Sequence, residues 1–581
     1  MNEVSFTRIA LALLTGAAVV MSCTTVKDTP TDTPEFPGMG PIIDGLETEA
    51  SHSLYGMVST AHQDASRIAV EILESGGNAI DAAVAAAFAV GVSDSGDSGL
   101  GGTTYILIRF ADGRATAIDG SALVPLRVDR TRLTEIQAAG GQSGMPLAGV
   151  PASLAALDYA ASTHGTLPLA DLIKPSIDLA EHGFRATPFH EVAIRSYFED
   201  LLKSDYLKYF ILENGEDPPS IETLQCRPVL ANTLRRIAAG GSAEFYRGEM
   251  AAEIETDMAE RGGFVSKDDL ALLRVRELPP LRGTYRGTEI LTFPRPSLGG
   301  AVIEALNILE QYPSDFIDQD TVGRYQVFAE AFHIATADHS RLMSERSFVR
   351  EDDWDRLLTK EFAAERAALI EPGKALVNEE FPPSEEEEND DGNTTQISIV
   401  DRWGNAVSLT QSLGRFFGNK LASPDLGFPY NSLLEGVGDP KARDPIPTNM
   451  CPSIVVQDGE FLLVLGSGSS NRIPGIVATV VSNVVDRNYG LRPAVLAPRV
   501  LWGPYLKSSF YAEIIPPITA EQIDELGSFG YEPILRALPP ARLSNFSRFG
   551  STNAVYFDRK TGIMTGVGDP RRNGSSFGAG L

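Results

Sequence analysis

Apolar residues recur with helical spacing through residues 65–90, a stretch rich in Ala, and the pattern breaks once at Gly76-Gly77-Asn78. That spacing predicts helix on either side of the break. Residues 105–110 (YILIRF) and 115–119 read as strands because β-branched and aromatic residues cluster between turn signals. Helical periodicity returns near residues 153–164, 169–182 and 302–309, and a long helical pattern covers 320–342. Residues 51 to about 380 therefore form a mixed α/β chain. The pattern then changes abruptly. Residues 381–392 read FPPSEEEENDDG, where Pro, like charge and Gly predict an exposed, disordered segment; a plain surface loop between domains is the alternative. Directly after it, residues 395–400 and 406–410 alternate as the two strands of a hairpin turning at 401–405. A second pair follows at 453–456 and 461–465, turning at Asp458-Gly459. An acidic tail thus runs straight into a core strand, a junction where a chain can be cut without loss of structure.

The first long apolar run is residues 9–21, IALALLTGAAVVM. It is short of the ~20 residues of a membrane span but has the length of a signal-peptide core. Val20-Met21-Ser22-Cys23 looks like a bacterial lipobox, in which Cys23 is lipidated and becomes the new N-terminus; a buried N-terminal helix is the alternative. Residues 24–50 are rich in Thr, Pro, Asp and Glu and read as a tether. The expected divisions are a lipoprotein signal peptide over 1–22, a tether over 23–50, and folded protein from 51 onward. The location this implies is the bacterial cell envelope, lipid-anchored outside the cytoplasm.

The 581 residues are 43% hydrophobic and 22% charged, an ordinary globular composition long enough for a large core. A net charge of −28 excludes the basic footprint that nucleic acid requires. The cysteines are Cys23, Cys226 and Cys451, and the latter two could pair or stay free. No CxxC, HExxH or clustered His/Cys pattern supports a metal site.

A series of motifs follows in order along the chain. Met57-Val58-Ser59-Thr60-Ala61-His62 and Gly76-Gly77-Asn78-Ala79-Ile80-Asp81-Ala82-Ala83 come first, then Ser98-Gly99-Leu100-Gly101-Gly102 and Gly149-Val150-Pro151. Phe245-Tyr246-Arg247-Gly248 and Pro296-Ser297-Leu298-Gly299-Gly300 lead to Asn393-Thr394-Thr395-Gln396-Ile397-Ser398, Gly404-Asn405-Ala406-Val407 and finally Gly568-Asp569-Pro570-Arg571. Each is weak alone. In this order and spacing they resemble the γ-glutamyltransferase (γ-glutamyltranspeptidase, glutathione hydrolase) family of N-terminal-nucleophile hydrolases, over nearly the whole chain after residue 50.

The resemblance implies a four-layer αββα sandwich built from α/β (α+β) elements, with two entwined chains cut from one precursor. The cut falls between Asn393 and Thr394, leaving a large chain ending at 393 and a small chain 394–581. A Thr hydroxyl is a weak nucleophile that needs an adjacent base, and the amine freed at Thr394 can supply it. By itself a Thr in a strand is unremarkable, since β-branched residues favour strands. Ser412 matches a second family Thr whose hydroxyl bonds the nucleophile; an exposed strand-end hydroxyl is the alternative. Ser469 and Ser470, within Gly466-Ser467-Gly468-Ser469-Ser470-Asn471-Arg472, match the family's Gly-Gly oxyanion loop, for which a bare turn is the alternative. Backbone donors survive the change to Ser, but the loop must accommodate two Cβ atoms. Thr448 and Asn449 match a Ser-Ser pair that binds the substrate's α-carboxylate. No metal or organic cofactor is implied. The partners implied are a small γ-glutamyl or related amide, an acceptor amine or water, and the two chains for each other.

The glutamyl-binding positions depart from the family. Ser121 stands where an Arg would clamp the α-carboxylate, and Ser lacks the bidentate charged contact. A family Asn falls at Gly414; an amine-binding Gln and acidic residue fall at Leu433 and Gly436, or one place over at Ser432 and Glu435. Gln396 replaces a His. Residues 431–450 are short for the family, as if a lid loop were missing. Arg415, Lys441, Arg443 and Arg472 are the nearby cations that could substitute for the lost Arg, with Arg472 taken as a substrate-binding candidate beside Ser121. The first expectation is a self-cleaving amidohydrolase or acyltransferase acting on a γ-glutamyl amide such as glutathione. The alternatives are an acylase on another amide or a poly-γ-glutamyl polymer, and an inactive envelope lipoprotein that binds without turnover.

Overall fold

A computed structural model of the chain describes residues 48–580 apart from 140, 142, 205, 222, 320, 345–349, 377–391, 503–508, 515–518 and 538–548. The signal segment, Cys23, most of the tether and the acidic run up to 391 lie outside the described residues.

Two seven-stranded antiparallel sheets stack face to face. One runs in the order Ser575–Gly578, Gly56–Thr60, Gly392–Asp401, Ala406–Arg415, Thr103–Arg109, Ala115–Gly120, Arg276–Leu278. The other runs Ser51–Ser53, Ile563–Val567, Ser551–Asp558, Glu460–Gly468, Ser453–Gln457, Thr288–Thr292, Leu281–Tyr285. Both hairpins expected from the alternation are present, and all four strands run longer than the sequence suggested. Each sheet interleaves strands from before and after Thr394. Gly56–Thr60, for instance, lies between Gly392–Asp401 and Ser575–Gly578.

Three apolar layers account for the stacking. Ile397, Ile399, Val407 and Leu409 point outward from the first sheet against helices that include Ala79–Ser93. That helix is buried on nearly every side, which its run of Ala permits by letting neighbours approach closely. Asn78, after the Gly76-Gly77 break, starts it with a capping box to Asp81. On the far side, Gly299–Leu309, Val322–Ser344 and Ile473–Val485 pack against Val455, Leu463, Leu465 and Ala554 of the second sheet. Between the sheets lie Met57, Tyr105, Leu107, Val400, Phe293, Ile454 and Val464. The molecule is thus the four-layer αββα sandwich expected, and chain scission before Thr394 would leave both products sharing one core.

The segment 431–450 packs down along residues 122–148. Ile446 N–H bonds Ala122 O at 2.9 Å, Val124 N–H bonds Asp444 O at 3.0 Å, and Leu434 joins Leu147 and Phe264 in a small apolar cluster. Cys451 is a free, buried thiol, so it is not paired with Cys226.

Candidate active site

Thr394 is the third residue of the strand Gly392–Asp401 in the first sheet, opposite Ser412 across the hairpin, and the register slips by one residue between Asn393 and Thr394. The expected scissile peptide therefore sits at a β-bulge, a device that re-aims side chains and interrupts the ladder. Thr394 Oγ1 donates to Ser412 Oγ at 3.1 Å, and Ser412 Oγ donates to the carbonyl oxygen of Asn393 at 2.7 Å. Gly414 N–H donates to the same Ser412 oxygen at 3.0 Å. One serine hydroxyl so links the hydroxyl of Thr394 to the carbonyl it would attack. Asn393, Thr394 and Ser412 are all buried. The pairing excludes the exposed strand-end alternative for Ser412.

Successive residues of a strand face opposite ways, and along this one the two faces differ in chemistry. Thr395 turns to the helix side, where its hydroxyl donates to Asp94 Oδ2 at 2.9 Å. Gln396 turns inward. Its amide nitrogen donates to Ser398 Oγ and Ser408 Oγ at 3.1 and 3.0 Å, and its oxygen accepts from Thr410 at 2.7 Å. In place of a titratable ring, position 396 holds a fully bonded buried amide.

The loop at Ser469 and Ser470 follows the strand Glu460–Gly468 and leads through a single 3₁₀ turn into the helix Ile473–Val485. Its backbone keeps the geometry that Gly-Gly would favour: φ is +123° at Ser469 and +51° at Ser470. Both values lie in the region that side chains resist. Arg472 braces the loop, its Nε donating to Ser469 Oγ at 3.2 Å. Gly468 abuts the strand Gly392–Asp401 so closely that a Cβ there would come 2.1 Å from the carbonyl oxygen of Thr394. The loop and the positive end of the following helix dipole thus lie beside the expected reaction centre.

Sequence reasoning missed a second wall. A pocket beside Thr394 is lined by Asp94, Asp97, Phe189, Arg572 and Asn573 among others. Asp94 ends the helix Ala79–Ser93, and His190 from Pro188–Ser196 places Nε2 2.7 Å from Asp94 Oδ1 and 3.2 Å from Asn573 Nδ2. Burial pushes the Asp94 carboxyl up, but its contacts with His190 and Thr395 outweigh this and hold it below the usual range. Asp97 shows the opposite balance: burial, and then the charge of Asp94, push it well above that range against the pull of Arg572. Burial likewise drives His62, stacked on His190, down to about 4. The available signal was two acids within four residues at the end of a buried helix, together with the second Arg of Gly568-Asp569-Pro570-Arg571-Arg572.

The predicted substrate-binding residues fall into two groups. Ser121 and Thr448 converge on the phenol of Tyr105: Ser121 Oγ lies 3.0 Å from it, and the Thr448 hydroxyl is buried there without a well-formed bond. Ser121 also donates to Asp119 through its backbone N–H at 2.9 Å and through its hydroxyl. This patch lies two to three strands from Thr394, roughly 10–14 Å at the usual strand spacing. Asn449 follows Thr448 and is half-buried. A guanidinium does reach the patch, from a residue the sequence reading passed over: Arg276, on the edge strand, donates through Nε to Asp119 Oδ2 at 3.0 Å and remains half exposed. The second group is engaged elsewhere. Arg472 holds Ser469, and Arg415 is paired at 2.6 Å with Glu435. Gly414 has φ +93°, and a Cβ there would meet Ser432 Oγ at 2.7 Å, so this turn has no room for Asn as it stands. Among the described residues no group of three His, Cys, Asp or Glu side chains could hold a metal.

Residues 65–579 match the Gamma-glutamyltranspeptidase family model. The chain is 32% identical over 489 residues to a glutathione hydrolase proenzyme of Escherichia coli (strain K12), covering 80% of this chain and 84% of that protein. It is 31% identical over 542 residues to an acylase ACY 1 proenzyme of Pseudomonas sp. (strain V22), covering 90% and 93%. The crystal structure of a cephalosporin acylase from Bacillus halodurans superposes with a TM-score of 0.78 at 24% identity, over 95% of this chain and 100% of that one.

Proposed function

The chain belongs to the gamma-glutamyltranspeptidase family and has an amidohydrolase activity of the glutathione hydrolase or acylase type, and from that premise we propose that it cleaves itself before Thr394 and uses Thr394 as an acyl-accepting nucleophile. The carrying observation is the bonded series Thr394 Oγ1, Ser412 Oγ, Asn393 O. In the uncut chain Thr394 Oγ1 attacks the Asn393 carbonyl carbon. Its proton passes to Ser412, which gives its own to the developing oxyanion. The C–N bond then breaks, the nitrogen takes up the proton, and water hydrolyses the resulting ester. In the matured enzyme the same hydroxyl attacks a substrate amide, the freed amine acts as base, and the oxyanion faces the backbone N–H groups of Ser469 and Ser470. Water or an amine releases the acyl group.

The substrate proposed first is a γ-glutamyl amide, glutathione included. The acylase reading, on acyl groups lacking an α-amine, is favoured by one observation: Ser121, Gly414 and Leu433 leave the family's amine and carboxylate contacts largely unmade. A lipid on Cys23 belongs to the same proposal and would anchor the enzyme in the cell envelope.

Intact-mass analysis of wild type beside Thr394→Ala tests the chemistry. Two wild-type chains, the smaller beginning at Thr394, and one uncut mutant chain are expected; an uncut wild type refutes the mechanism. The relative rates on γ-glutamyl and glutaryl anilides then decide the acyl group, and the mass of the large chain's N-terminal peptide decides the lipid.

A further inference from the structure

Cleavage before Thr394 creates an amine whose partner is not among the residues assigned so far. In the uncut chain Asp97 lines the same pocket as Thr394 and is 2% exposed, yet its Oδ1 has no hydrogen-bond partner. A buried carboxyl oxygen without a donor is costly and asks for an explanation. Its other oxygen faces Arg572 Nη1 at 3.6 Å, close enough for an ion pair but too far for a hydrogen bond. That same Nη1 would lie 3.0 Å from a Cβ at Gly468, the glycine that abuts the Thr394 carbonyl. The Asp97 main chain is tied to the hairpin as well, its carbonyl accepting from Leu413 N–H at 3.1 Å, next to Ser412. The other acid of the pocket, Asp94, is engaged on both oxygens by His190 and Thr395.

We propose that Asp97 is a positioning residue for the amine released at Thr394, its Oδ1 accepting a hydrogen bond from that amine and holding it toward Thr394 Oγ1. The proposal rests on the cleavage reading above. When the Asn393–Thr394 bond is hydrolysed, the carbonyl carbon gains the water oxygen and the Thr394 nitrogen gains hydrogen, so a donor appears beside an unmatched acceptor. During turnover the amine takes the Oγ1 proton and gives it to the leaving nitrogen, while Asp97 stays an acceptor throughout. The charged and titratable groups facing Asp97 are Asp94, with His190 and His62 behind it, from the helices, and Arg572, with Arg472 and Asp569 behind it, from the C-terminal side. Formation of the ammonium offsets the repulsion from Asp94 and favours the ionised carboxylate. An opposite charge within about 4–6 Å raises an amine by about 1–3 pKa units.

The test reads the amine directly and needs no substrate. Matured wild type, Asp97→Asn and Asp97→Glu are treated with acetic anhydride across a pH series, and acetylation of the Thr394 amine is followed by peptide mass spectrometry. In Asp97→Asn the half-reaction pH is expected to drop by about one unit or more, a roughly tenfold change in free amine at fixed pH. Asp97→Glu should restore the wild-type curve. An unchanged curve in Asp97→Asn overturns the proposal. So does a folded Asp97→Asn chain that stays uncut, since Asp97 would then act in the cleavage step. If Asp97→Asn does not fold by circular dichroism, Asp97→Ser takes its place under the same criteria. A wild-type chain that stays whole is a separate result, seen without any Asp97 variant, and it removes the cleavage reading itself.

Discussion

Replacing Ser412 by Ala removes three hydrogen bonds at once, and the structure separates their effects. The bond to Asn393 O, at 2.7 Å, is the one that grows as Thr394 attacks, because negative charge develops on that oxygen. Losing one such donor costs roughly 10²–10³ in rate, about 2.7–4 kcal/mol of transition-state stabilisation. The bond from Thr394 Oγ1, at 3.1 Å, orients the nucleophile, and its loss adds to the same deficit. The bond from Gly414 N–H, at 3.0 Å, belongs to the ground state; stranding that half-buried donor costs about 1–3 kcal/mol of stability. Such a loss lowers the melting temperature without preventing folding, so the kinetic and structural effects are distinguishable. Freshly synthesised chains would be sampled over time and resolved by intact mass, with a thermal melt of each uncut protein as control. Ser412→Ala is expected to mature about 10²–10³ times more slowly than wild type, and Ser412→Thr, which keeps the hydroxyl and suits a strand, to remain within about tenfold. Maturation of Ser412→Ala at the wild-type rate, in a folded protein, would refute the relay.

Three further outcomes follow from the same geometry. Ser470→Gly should raise stability by about 1 kcal/mol, because strain of about 1–3 kcal/mol at φ +51° is relieved against a glycine entropy cost of about 0.5–1. Ser469→Gly should gain less, since it also loses the Arg472 contact; lower melting temperatures for both would contradict the strain argument. Arg276→Ala should raise KM for a γ-glutamyl anilide about tenfold with kcat little changed, the pattern of lost uniform binding, and leave an uncharged butyryl anilide unaffected; equal effects on both would show that Arg276 does not bind a carboxylate. Buried His62, pushed down to about 4, binds its proton less readily folded than unfolded. Stability should therefore fall as pH drops from about 6.5 toward 4, by on the order of 1.4 kcal/mol per unit. His62→Asn keeps an acceptor for the helix-capping Asp64 N–H and should flatten that acid slope in urea titrations; an unchanged slope would count against the assignment.

How far the site was legible depends on how far apart its parts lie in the chain. The proposed nucleophile, the proposed scissile peptide and Ser412 belong to one hairpin, and its alternation already places Thr394, Gln396 and Ser398 on one face and Thr395, Ile397 and Ile399 on the other. The Ser469-Ser470 loop is equally local, although nothing in its sequence announces that both residues adopt positive φ. The opposite wall is assembled from remote parts. Asp97 meets Arg572 because Ser575–Gly578 pairs with Gly56–Thr60 at the sheet edge, which brings the Gly568–Asn573 turn back toward the start of the strand Gly392–Asp401. Likewise the loss of an Arg at position 121 is evident in the sequence, but the guanidinium of Arg276 arrives through the register Asp119↔Arg276, between strands more than 150 residues apart. The residues proposed for the reaction chemistry, in one hairpin and one loop, can thus be read from local pattern. The residues proposed to position the amine and to bind the acyl group are brought together by contacts between distant strands, and these can change while the hairpin stays the same. Relatives named as glutathione hydrolase and as acylase, at nearly equal identity to this chain, fit that division.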